Sequence, residues 1–157
     1  MRTVKLPVSK AFGDGAELRL LQLGRIVFQQ RPQLLFEDGR RLYVNQYDHV
    51  FDLVFVDDEG VPAAWFSGDG GWGKRLLLAP DHEYELGRHL LAPRWDLIDA
   101  GLDVWHCTYS AKEKSVTFVE IAPLLLERDV PLLQMVIAYV VGGSHLHLGE
   151  GMSGLSG

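Results

Sequence analysis

At 157 residues and 17.6 kDa the chain has the length of one domain, and a domain of that size buries about 70 % of the surface its unfolded form exposes. Its hydrophobic content of 47 % and charged content of 23 % are ordinary for a globular protein and argue against wholesale disorder and against an integral membrane protein. Fifteen Lys and Arg against twenty-one Asp and Glu leave a net charge of −6, which disfavours nucleic acid as a partner, because displacing counterions from phosphate takes a concentrated basic face.

Met1 to Pro7 lacks the continuous apolar run of a secretory signal. A single cysteine, Cys107, cannot form an internal disulfide and fits a reducing compartment, so the expected location is the cytoplasm. Residues 2–9 read as a first strand interrupted by Pro7, whose missing N–H suggests a sheet edge. After the break at Gly13-Asp14-Gly15, Glu17 to Leu20 alternates and Ile26-Val27-Phe28 is β-rich, with a short helix over 16–23 as the alternative. Leu34-Leu35-Phe36, Glu37-Asp38-Gly39-Arg40 and Leu42-Tyr43-Val44 predict a hairpin, since the glycine accepts the positive φ of a tight turn.

A second hairpin runs from Phe51 to Val56, through Asp57-Asp58-Glu59-Gly60, and back from Val61 to Phe66. Beyond a glycine-rich break come Arg75 to Leu78, then Arg94 to Ile98, a turn at Asp99-Ala100-Gly101, and a return from Leu102 to Tyr109. Ser115 to Ile121 predicts the last strand. Phe51-Asp52-Leu53-Val54 and Trp95-Asp96-Leu97-Ile98 form a weak echo 44 residues apart, each followed by a turn and a tryptophan, which predicts two similar hairpins in one sheet. About eight to eleven short strands at hairpin spacing indicate a sheet that closes or folds upon itself.

Val130 to Val141 carries one clearly polar side chain, Gln134. Asp129 suits the N-cap, Pro131 falls in the first turn, and Gly142-Gly143 is a stop signal, so the segment predicts a helix rather than a core strand. A helix apolar on every face must be surrounded, and a bilayer span takes about 20 such residues whereas about 10–14 suit a core helix. The predicted fold class is therefore mainly β (β+α): a closed or strongly curved antiparallel β-barrel enclosing a C-terminal hydrophobic helix. Residues 1–143 form the expected single domain, and 144–157 a flexible tail rich in Gly and Ser.

Gly68-Asp69-Gly70-Gly71-Trp72-Gly73-Lys74-Arg75 has the most unusual local composition, but not the glycine–lysine–hydroxyl order by which a phosphate loop works. A hairpin loop presenting Trp72 beside Lys74 and Arg75 makes these three the candidate binding residues, suited to a membrane interface or a protein partner. The alternative is an ordinary connection with Trp72 folded back on the barrel. His49, His82, His89 and His106 are scattered, and His145-Leu146-His147 falls in the tail, so no metal ligand set is legible. Asp57-Asp58-Glu59 reads as solvated turn chemistry, and Asp52 and Asp96 as the outward polar half of their strands. Cys107 and His106, as neighbours in a strand, point to opposite faces and cannot easily act together, and no nucleophile elbow is present. No catalytic residue, metal or cofactor is assigned, and the reading leans away from an enzyme.

The strand–turn–strand units Phe51 to Gly60 and Trp95 to Gly101, with Val119-Glu120-Ile121-Ala122-Pro123 leading to the apolar run Leu132 to Val141, resemble the tubby C-terminal-like superfamily. That superfamily includes the LURP-one-related proteins and the phospholipid scramblases. The likeness spans roughly residues 30–142 and implies a barrel wrapped around its helix. It also implies association with membranes, phosphoinositides or partner proteins, without established enzymatic chemistry for most members. The acidic chain departs from tubby, and no phosphoinositide pocket of lysines and arginines can be matched. The functional expectation is a non-enzymatic binding or scaffold module at a membrane surface or on a protein partner. Two alternatives are a small-molecule-binding barrel or enzyme with a pocket at its mouth, and a partner-specific adaptor or immunity-type protein.

Overall fold

Alternation and turn chemistry build the strands. In the computed structural model, residues 2–11, 16–20, 22–46, 53–67, 73–78, 82–88, 94–110, 112–113, 115–122 and 130–141 are described. The strands are β1 (Arg2–Ala11), β2 (Ala16–Leu20), β3 (Gly24–Phe28), β4 (Gln33–Phe36), β5 (Arg41–Gln46) and β6 (Leu53–Val56). They continue as β7 (Pro62–Ser67), β8 (Gly73–Leu78), β9 (His82–Arg88), β10 (Arg94–Asp99), β11 (Leu102–Ser110) and β12 (Ser115–Glu120). One helix, α1, covers residues 130–141. The protein is thus mainly antiparallel β with a single helix among the described residues.

Each strand pairs with its neighbours in the chain, and β1 also pairs with β12, so the order runs cyclically. The return is split along β1: Arg2 to Pro7 register against β12, and Val8 to Ala11 against β2. Pro7, expected at an edge, sits where β1 changes partner. A residue without an N–H is tolerated there because the ladder is already passing from one neighbour to the other. The helical alternative over 16–23 gives way to β2, whose Leu18 and Leu20 are buried while Arg19 is exposed. β9 has no counterpart among the expected elements, although its Tyr84 and Leu86 are buried between exposed Glu83 and Glu85 in the period of a half-buried strand.

The turns follow their glycines. At the β4–β5 hairpin the Gly39 N–H donates to the Phe36 carbonyl over 3.0 Å, and Gly39 has a φ of +93°. The β6–β7 turn closes the same way through Gly60, and the Asp57 carboxylate accepts the N–H groups of Glu59 and Val61, both at 2.9 Å. This is the solvated turn role expected of Asp57.

Inward residues of the strands join α1 in one apolar cluster that includes Leu18, Ile26, Leu34, Leu42, Phe55, Leu86, Leu97 and Phe118. Within α1, Leu133, Met135, Val136, Ile137, Ala138 and Val141 have no exposed surface, while Gln134 is half-buried and Pro131 exposed. The Tyr139 ring stacks on Phe28 of β3 at 5.6 Å and meets Phe55 of β6 edge-on at 5.8 Å. The helix therefore touches strands from separate parts of the sheet, as its all-round apolar surface requires. Asp129, Gly142-Gly143 and the tail 144–157 lie outside the described residues.

The two echoing hairpins correspond to β6–β7 and β10–β11, and both carry a register shift. Their tryptophans differ: Trp65 is 39 % exposed whereas Trp105 is 3 % exposed and packs edge-on against Phe118. The likeness holds for the strands and not for the faces their tryptophans occupy.

Candidate functional site

The site legible in the sequence falls largely beyond description. Trp72 lies outside the described residues, as does most of the glycine-rich stretch before it. Lys74 and Arg75 belong to β8 and not to a loop, Lys74 opposite Leu86 and Arg75 opposite Glu85 and Ser67. The strand begins at Gly73 because β9 offers it a second partner that the sequence did not announce.

A different group of chemistry-bearing residues converges on the outer face of β10 and β11. Asp96 and His106 are directly opposite each other, which puts their side chains on one face. Asp96 Oδ1 lies 3.6 Å from His106 Nε2 and 3.1 Å from Arg94 Nε. Asp96 is only 9 % exposed, unlike the freely solvated carboxylate expected on the polar half of a strand. Asp103, on the return strand, adds a second carboxylate: one ligand atom each from Asp96, Asp103 and His106 lie within 4.8 Å of one another.

A β-bulge makes this possible. Asp99 pairs with Leu102 and Ile98 with Asp103, but the register then shifts and Leu97 pairs with Trp105. Val104 is the extra residue, and Val104 and Trp105 are both buried. An unbroken ladder would set Asp96 against Trp105 and turn His106 inward; the bulge restores His106 to the outer face with Asp103. Sequence reasoning left His106 scattered and did not single out Asp103. The turn at Asp99-Ala100-Gly101 is a usable hairpin signal, yet the bulge one step beyond it has no mark of its own.

Two further groupings lie elsewhere in the sheet. His82 Nε2 is 3.0 Å from Asp99 Oδ1, and the His82 ring meets Tyr84 edge-on at 4.5 Å. Near the β4–β5 hairpin, the guanidinium groups of Arg31 and Arg41 lie 4.2 and 5.3 Å from the centre of the Tyr43 ring. Arg31 also donates to Asn45 at 2.9 Å, and Arg41 to Asp58 at 3.1 Å. That contact with Asp58 raises the Arg41 pKa further above its ordinary value.

Cys107 has no exposed surface and lies between Trp95 and Phe118 in register. Burial pushes its thiol well up, with the nearby Asp96 charge adding to the effect, so it is held as a neutral apolar group and is not an activated nucleophile. No helix among the described residues is long and apolar enough to cross a membrane. No family model, curated protein or solved structure matches the chain.

Proposed function

We propose that the chain is a non-enzymatic binding or scaffold module that works through the outside of its β-structure, at a membrane surface or on a protein partner. The observation that carries this reading is the occupation of the interior: α1, apolar along its length, lies in the same cluster as the inward strand residues. The place where a barrel would hold a small ligand is taken by the chain's own side chains. Cyclic strand order and the burial of α1 support a barrel closed around its helix, the arrangement the tubby-like resemblance implies. In this reading Trp72 and Arg75 are contact residues, Arg75 standing in register with exposed Glu85 whereas Lys74 is opposite buried Leu86, and the protein is cytoplasmic and peripheral at the membrane. It needs no cofactor.

Sedimentation with phosphatidylcholine vesicles, with and without phosphatidylserine, tests the membrane half. Salt-sensitive pelleting with the anionic vesicles, reduced in Arg75→Ser, is the expected result. No pelleting at low salt removes the membrane and leaves a protein partner. Stoichiometric uptake of a small apolar ligand into the interior would overturn the reading in favour of a ligand-binding barrel.

A further inference from the structure

The outer-face cluster of β10 and β11 is not used by the binding-module reading, and either proposal can fail without the other. We propose that Asp96, Asp103 and His106 form a binding site for a divalent transition metal of the zinc class.

The donor set is two carboxylates and one imidazole. Oxygen ligands alone would suit magnesium or calcium, and the imidazole shifts the preference toward zinc and its neighbours. Zinc–oxygen and zinc–nitrogen bonds of about 2.0–2.1 Å at tetrahedral angles put neighbouring ligand atoms about 3.3–3.5 Å apart. The 3.6 Å between Asp96 Oδ1 and His106 Nε2 is close to that edge. Asp103 brings a carboxylate oxygen within 4.8 Å of one ligand atom from each of the other two residues, a gap that a side-chain rotation at the exposed end of the hairpin can close.

Three features distinguish this cluster from a chance gathering of surface acids. First, Asp96 and His106 come from adjacent strands in direct register, so the backbone ladder fixes their separation. Second, Arg94 Nε stands 3.1 Å from Asp96 Oδ1, a contact of opposite charges without hydrogen-bond geometry, which tempers the negative charge of the cluster. The guanidinium offsets one of the two carboxylates and leaves the cluster at a net −1 with His106 neutral.

Third, there is room. On its other side Asp96 pairs with Gly87, and Gly87 with Gly73 of β8, so the row beyond the carboxylate carries no side chains. Among the described residues, a Cβ built on Gly87 would have only Ile98 Cδ1 near it, at 4.0 Å. Three protein ligands leave a fourth coordination position for water or for a donor from a partner.

Calorimetric titration of the full chain with Zn2+, and with Mg2+ for comparison, tests the site. One equivalent of Zn2+ is expected to bind in preference to Mg2+ and to raise the thermal midpoint. Asp103→Asn, an exposed change, should leave the metal-free midpoint unchanged and weaken Zn2+ by at least about 10-fold, the lower end of what losing an outer-shell partner costs. His106→Gln should do the same, and where it impairs folding Asp103→Asn decides alone. His82→Gln, outside the cluster, should retain the affinity. No Zn2+ binding, or binding equally insensitive to Asp103→Asn, would refute the site and assign any uptake to other histidines.

Discussion

Among the described glycines, Gly24 is the one where an added side chain has least room. A Cβ there would lie 2.1 Å from the Leu35 carbonyl oxygen, and its φ of +151° is one that residues with side chains rarely adopt. Both the clash and the strain fall on backbone in the β3–β4 ladder, where Gly24 pairs with Phe36. Gly24→Ala should therefore lower stability by about 2–4 kcal/mol. Gly39→Ala, with a φ of +93° but nothing within 4 Å of the added carbon, should cost only about 1–2 kcal/mol. Urea midpoints at unchanged slope provide the comparison, and equal losses at the two positions would contradict the close approach. The sequence made Gly39 legible, because a turn signal is local. It gave no sign that Gly24 mattered, since the atom it must avoid belongs to another strand.

At the scale of elements, α1 was the most readable part of the chain. Its boundaries, its lack of polar side chains and its burial all follow from composition within a dozen or so positions, and the structure places the helix over residues 130–141 as expected. Tyr139 is its one ionisable group among the described residues, and burial pushes the phenol up to about 12. The folded state thus holds this proton more tightly than the unfolded chain, whose tyrosine titrates near 10. The resulting stabilisation is complete below about pH 10 and is lost as pH rises toward 12. A two-unit shift is worth at most about 3 kcal/mol. Denaturant midpoints taken between pH 8 and 12 should fall less steeply in Tyr139→Phe than in the parent. Some alkaline loss should persist, because the Cys107 thiol is raised in the same direction. Indistinguishable profiles would mean that Tyr139 reaches solvent.

For the molecule as a whole, β1 and α1 come from opposite ends of the described chain, yet both complete the structure. β1 joins β12 to β2, and α1 supplies much of the shared core. A chain ending at Arg128 keeps every described strand but loses the helix that shares their apolar cluster. It should show no cooperative thermal transition, since the inward faces of the sheet would be left in contact with water. A sharp transition in that shortened chain would refute the central role of α1.

Local sequence determined the elements: hairpins from Asp-Gly and Asp-Glu-Gly turns, strands from alternation, and a core helix from an apolar run too short to span a bilayer. These signals are written within a few consecutive residues, so they could be read without knowing what lies across the sheet. Tertiary structure alone decided that β1 would divide itself between two partners, that β9 would pair with β8, and that an unmarked bulge at Val104 would carry His106 round to Asp96 and Asp103. Each of these depends on register between strands. A shift of one residue exchanges inside for outside, and no property of either strand taken singly fixes that choice.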